Sequence, residues 1–177
     1  MHHYTYSCGK ESDDEFTYLP YQLEVTVKMS AEEMWKEIEL SFTDYKKGWM
    51  WATQFSQPRV DDLPLRNGVS LYLDYQVPNL KDPSAPPIDL VYDYDLAEWN
   101  QEEMFCRYEG KGRHPFRGGG FIDLNAIDAK TCLLKWGGKY RYKTGDKSVE
   151  GVAKGAVRYF YTFLMAVVEN IETKTSE

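Results

Sequence analysis

From Tyr21 to Lys28 apolar and polar residues alternate strictly, so Tyr21, Leu23, Val25 and Val27 share one face of a strand. The period then changes. Ser30 suits a helix N-cap, Glu33 three residues later completes a capping box, and Met34, Trp35, Ile38 and Leu40 recur at helical spacing. A second short helix or turn is expected over Ser41 to Lys47, ending at Gly48. Alternation resumes from Trp49 to Ser56, with Trp49, Trp51, Thr53 and Phe55 on one side. Five further strands are expected over Val69–Val77, Ile88–Leu96, Met104–Tyr108, Phe121–Ile127 and Thr131–Lys143. They are separated by a proline-bearing loop from Asn79 to Pro87, a turn at Asn100–Glu102, a glycine-rich loop from Gly110 to Gly120 and a compact turn at Asp128–Lys130.

After Thr144-Gly145-Asp146 the helical period returns, and Val149, Val152, Ala153, Ala156, Phe160, Phe163, Leu164, Val167, Val168 and Ile171 form one broad apolar stripe. At about 1.5 Å per residue, the roughly 25 residues of this helix span about 38 Å. Such a helix is not stable alone in water, and its stripe is too wide for a two-helix seam, so a curved sheet must cover it. The predicted order is one strand, two short helices, six strands and one long terminal helix. The 177 residues fit one domain over residues 21–177, behind an N-terminal tail, residues 1–20. The run Glu11-Ser12-Asp13-Asp14-Glu15 makes that tail a solvated acidic segment, able to dock as a strand through Phe16, Tyr18 and Leu19.

Charge and cysteine usage narrow the partners. Lysine and arginine number 21 against 28 acids, a formal charge of −7 that repels a phosphate backbone, so nucleic acid is not expected. No apolar run approaches the roughly 20 residues a membrane helix needs, and membrane insertion is not expected either. Cys8, Cys106 and Cys132 form neither a disulfide framework nor a CxxC pair, and Cys106 and Cys132 read as small buried hydrophobes. With no secretory pattern after Met1, a reducing cytoplasm is the expected location. Histidine and cysteine are not spaced as metal ligands, Gly110-Lys111-Gly112-Arg113 lacks the context of a nucleotide loop, and neither metal nor cofactor is expected.

Aromatic content changes the picture most: 15% of the chain, with 14 Tyr and 5 Trp. The alternation places Trp51, Phe55, Tyr75, Tyr92, Tyr94, Tyr108, Trp136 and Tyr140 on the inner side of the strands, facing Phe160 and Phe163 of the helix. Taken singly, each ring reads as core. Together, the five inward phenols need hydrogen-bond partners that a dry core lacks, and a cavity with water or a polar ligand supplies them. These ten residues are the candidate ligand contacts. A ligand burying roughly 250 Å² of apolar surface gains on the order of 6 kcal/mol before the cost of association, so polar contacts must add to it. Arg107 and Asp74 fall on the polar phase of their strands, and Lys135, Lys139 and Arg141 make a basic stripe expected to pair with acids on neighbouring strands. His114 in Gly112-Arg113-His114-Pro115 is expected in a solvated loop, with acid or base work at a cavity mouth as the alternative.

Three local patterns resemble a known family. They are the strand running into a capped helix over Val25-Thr26-Val27-Lys28-Met29-Ser30-Ala31-Glu32-Glu33-Met34-Trp35, the late hairpin from Ile122-Asp123-Leu124 through Asp128 to Leu133-Leu134-Lys135-Trp136, and the long terminal helix. The arrangement over residues 21–172 resembles the START-related helix-grip superfamily (SRPBCC), which includes lipid-transfer domains, polyketide cyclases and aromatases, plant allergens and chaperone-activating proteins. The resemblance implies an α+β fold with a seven-stranded curved antiparallel sheet gripping the C-terminal helix, two short helices after the first strand, and a cavity between sheet and helix. Three functions follow from it: carriage or sequestration of a hydrophobic, aromatic or polyketide-like small molecule, cyclisation of such a molecule with Tyr92 and Tyr140 as candidate groups, or a co-chaperone-like interaction module. Neither the choice between binding and catalysis nor the oligomeric state is fixed by the sequence.

Overall fold

The structure, a computed structural model, describes residues 4–43, 56–60, 63–77, 82, 84–86, 88–114 and 117–174. Strands β1 (Tyr4–Cys8), β2 (Glu11–Ser12) and β3 (Phe16–Val27) lead into helix α1 (Ala31–Thr43). Strands β4 (Ser56–Val60), β5 (Ser70–Val77), β6 (Ile88–Asn100), β7 (Phe105–Lys111), β8 (Arg117–Asp128) and β9 (Thr131–Lys143) follow, and helix α2 (Lys147–Lys174) ends the chain. All the strands join one antiparallel sheet in the order β1-β3-β9-β8-β7-β6-β5-β4, with β2 also paired to β3. The long helix lies across β3 and β9.

The strict alternations behave as read. Along β3 every second residue from Thr17 to Val27 is buried, and β9 begins and ends where its pattern does. Ser30 and Glu33 form the expected capping box: Glu33 N–H donates to Ser30 Oγ at 3.3 Å and Ser30 N–H to Glu33 Oε2 at 3.2 Å. Asp146 caps α2 by accepting from the backbone N–H of Ser148 and Val149, both at 3.2 Å.

The described residues contribute nine strands to the sheet, where seven were expected. Two come from the expected tail, where β1 and β2 line up on β3. Asp13 turns the chain there by accepting from the N–H of Glu15 at 2.9 Å and Phe16 at 2.6 Å, and these bonds hold its carboxyl below the usual range. Strand β4, which contains Pro58 and Arg59, has no alternation to announce it and lies at the sheet edge, where a proline costs no ladder bond. Helix α1 runs on through Ser41, which a second helix was expected to start, because its Oγ bonds back to Glu37 O at 2.8 Å without breaking the helix. The remainder of that second helix and the strand from Trp49 to Phe55 lie outside the described residues. Strand β6 continues past Leu96 to Asn100 through a bulge between Leu96 and Glu98. The bulge puts Trp99 against Trp35 at 4.7 Å and Phe42 at 6.3 Å, ring centroid to centroid.

One end of the interior is sealed. Val25, Val27, Met34, Ile38, Leu134, Leu164, Val167 and Val168 have no exposed surface, and Lys28 N–H donates to Glu172 of α2 at 3.1 Å. At the other end Tyr6 Oη donates to Val157 O of α2 at 2.6 Å. No described helix is long and apolar enough to cross a membrane. Gly155, in the interior of α2, has open space where a Cβ would stand. Gly155→Ala is therefore expected to stabilise the fold by about 0.5–1 kcal/mol through helix propensity alone, read as a higher urea midpoint with an unchanged slope.

Candidate functional site

The register of four strands sets two glycines side by side at the centre of the inner face, with tyrosine rings filling the space over them. Tyr21 of β3 pairs with Gly138 of β9, Gly138 with Gly120 of β8, and Gly120 with Tyr108 of β7. On one side this row is bounded by Leu23, Trp136, Ile122 and Cys106, and on the other by Leu19, Tyr140 and Gly118. Two adjacent glycines thus leave no side chain at the middle of the row, and the flanking phenols lie over the gap. A Cβ on Gly120 would stand 2.4 Å from Tyr108 Oη, and one on Gly138 2.7 Å from Tyr21 Oη, so neither position has room for alanine while the rings stay put.

Three of the phenols and the indole of Trp136 are paired with one another. Trp136 Nε1 donates to Tyr108 Oη at 2.8 Å, and the Tyr21 hydroxyl is hydrogen-bonded to that of Tyr140. Phe160 of α2 packs on these rings, edge-on to Tyr21 at 4.5 Å and to Trp136 at 5.9 Å. Tyr94 stands edge-on to Tyr108 at 5.3 Å and to His114 at 4.8 Å. Burial pushes the Tyr140 phenol up to about 12 and raises those of Tyr21 and Tyr108 well above the ordinary value. All three are neutral at physiological pH and serve as donors and acceptors, not as bases.

His114 corrects the expectation of a solvated loop: it is only 6% exposed. Two contacts fold it in. Arg113 grips Asp93 with Nε at 3.1 Å, a terminal nitrogen at 3.0 Å and its backbone N–H at 3.0 Å, pinning the turn between β7 and β8. Gly110, lacking a side chain, gives the imidazole a seat, since a Cβ there would lie 2.9 Å from the ring. Burial pushes the Asp93 carboxyl up, but the Arg113 hydrogen bonds outweigh it and hold it below its ordinary value. The imidazole consequently faces Tyr94 and, at 6.5 Å, Tyr140.

Of the ten candidate contacts, Tyr94, Tyr108, Trp136, Tyr140 and Phe160 come together here. Tyr75, Tyr92 and Phe163 lie in β5, β6 and α2, while Trp51 and Phe55 lie outside the described residues. Tyr21, outside the ten candidates, and His114, which the sequence offered only as an alternative, also come together here. Tyr21 shared the inward phase with the other phenols and was legible; His114 was not, because its burial depends on Asp93, 20 positions away. Arg107 is exposed on the outer face between Glu98 and Glu109, as its phase indicates.

Comparison with known proteins bears on the fold. The Zhui aromatase/cyclase of a Streptomyces species superposes with a TM-score of 0.59 at 13% identity, covering 92% of this chain and 96% of that one. Norcoclaurine synthase from Thalictrum flavum, solved in complex with dopamine and hydroxybenzaldehyde, gives 0.60 at 10% identity over 91% and 89%. The major latex-like protein 151 of Panax ginseng gives 0.59 at 11% identity over 89% and 97%. No family model and no curated protein matches the sequence. The chain has the helix-grip fold of these structures, an α+β arrangement of a curved antiparallel sheet around a C-terminal helix.

Proposed function

We propose that the protein binds a hydrophobic small molecule with an aromatic, polyketide-like body and polar substituents, held between the concave face of the sheet and α2. One observation carries the reading. Over the Gly120–Gly138 gap, Tyr94, Tyr108, Tyr140 and Phe160 stay only partly buried, whereas the aliphatic end of the same interior is closed to solvent. Partly open phenols on an inner face offer both the apolar contact and the donors that orient a ligand. Structural neighbours whose names include an aromatase/cyclase and a synthase solved with two small aromatic molecules support the same class. A single ligand-binding domain, with the strands before residue 21 joined to its sheet, and a cytoplasmic location belong to this reading.

The test is titration with a dihydroxyanthraquinone, reading tryptophan fluorescence, since the Trp136 indole donates to Tyr108. Saturable one-to-one quenching that weakens in Tyr108→Phe is expected. Linear, non-saturating quenching, unchanged by that substitution, would sink the proposal.

A second reading, catalysis of a cyclisation or dehydration, is favoured by His114 alone. An imidazole turned toward neutral phenols has the groups for polarising a carbonyl through Tyr140 or Tyr94 and removing a neighbouring proton. His114→Gln should then lower turnover of a linear polyketide analogue by roughly 10²-fold while anthraquinone affinity is retained. Absence of turnover in the unsubstituted protein leaves binding as the function.

A further inference from the structure

The outer side of the sheet carries a hollow with a volume of about 830 Å³, whose lining also takes in Tyr21, Gly120 and Gly138. That is within the size range of small-molecule sites. Its floor is bare backbone, because the outward position on β8 between Arg117 and Phe121 is Gly119. Its walls hold Tyr18 and Phe121 together with four cations, Arg107, Arg117, Lys139 and Arg141, against a single lining acid, Glu109.

These cations are not equivalent. Arg107 is paired with Glu109 and with Glu98 at 4.0 Å, and Lys139 with Glu11 at 3.3 Å. Arg117 and Arg141 stand directly opposite each other in the β8–β9 register, and neither has a carboxylate within 4 Å among the described residues. Like charges facing across a strand pair destabilise it. The Arg141 guanidinium lies over the Phe16 ring, 4.7 Å from its centroid, and its Nε is buried without an acceptor. A buried N–H left unmade costs free energy that an incoming acceptor recovers. One anion between the two guanidinia would relieve both costs, and it would do so on a chain whose net charge of −7 otherwise disfavours anions.

We propose that this outer hollow binds a small organic anion, with a phosphate or carboxylate head between Arg117 and Arg141 and an aromatic body along Tyr18 and Phe121. Guanidinium forks match such heads in geometry as well as charge. The volume exceeds what a bare phosphate fills, which is why the aromatic walls belong to the site.

The experiment titrates naphthyl phosphate, inorganic phosphate and naphthol into the full chain and follows backbone amide shifts. Expected are saturable one-to-one binding of naphthyl phosphate, shifts centred on Gly118 and Gly119, and at least a tenfold loss of affinity in Arg117→Gln and in Arg141→Gln. The double variant should melt no lower than the parent, because the like-charge pair is gone, and should bind a neutral naphthylamine dye at the inner site unchanged. Loss of dye binding alone speaks against the inner site and leaves this one standing. The inference is overturned by unchanged naphthyl phosphate affinity in both single variants, or by inorganic phosphate binding as tightly. It is equally overturned if shifts are confined to Tyr94, Tyr140 and Phe160, or if only phosphatidylserine vesicles, and not naphthyl phosphate, engage the arginines.

Discussion

Trp35→Ala is expected to cost about 3–5 kcal/mol of folding free energy, the largest loss from any single truncation of α1. Trp35 is 1% exposed. Its ring lies tilted against Trp99 at 4.7 Å, the residue that the β6 bulge turns inward, and its Nε1 donates to Gln101 Oε1 at 2.8 Å. Truncation therefore leaves a cavity and strips Gln101 of a donor at the same time. In a domain of this size the loss corresponds to a fall of roughly 10 °C in the melting midpoint. Trp35→Phe keeps most of the volume and should recover more than half of it. A loss below about 1 kcal/mol for the alanine variant would mean that α1 does not depend on this contact.

Gly138→Ala is expected to damage stability and ligand capture together. Its Cβ would lie 2.3 Å from Gly119 O and 2.7 Å from Tyr21 Oη. The first neighbour is backbone in the paired strand and cannot swing away. The second is a phenol held by Tyr140. Overpacking of this kind costs about 1–3 kcal/mol, and any relief comes from pushing Tyr21 into the space proposed for the ligand. Chemical denaturation should show the stability loss, and anthraquinone quenching should weaken by at least tenfold in protein that is still folded at the assay temperature. Gly151→Ala, in α2 with nothing within 4 Å of the added carbon, is the control that should leave quenching untouched. Retained quenching in Gly138→Ala would place the ligand elsewhere.

How much of this was legible depends on the range of the forces involved. Strands β3 and β9 and helix α2 could be read from the sequence because each buries most of one face, Val152 at the start of α2 being an exposed exception, and burial writes its period into the residues. The bulge in β6 could not. Its neighbours alternate on both sides, and only the partner register shows that Trp99 changes face. The aromatic half of the site was readable for the same reason as the strands. The empty half was not, because Gly120 and Gly138 become a gap only when β8 and β9 are laid side by side. In sequence Gly120 looks like a loop or strand-start glycine, and Gly138 like one more position along its strand. The burial of His114 likewise follows from an ion pair and a missing side chain on two other parts of the chain.

The pairing of β3 with β9 also orders events in time. Thr17 meets Thr144 across 127 positions of chain, and the strand that begins the curved surface finds its inner neighbour only in the last one made. Contacts of such separation carry a large loop-closure cost and slow the search for the native state. During synthesis the hairpins from β5 to β8 can zip as they emerge, but β3 waits with its apolar face open until the final third of the chain has left the ribosome. For that interval the nascent protein exposes Leu23, Val25 and Val27, which makes slow translation and chaperone supply, more than the equilibrium stability of the finished sheet, the limits on yield.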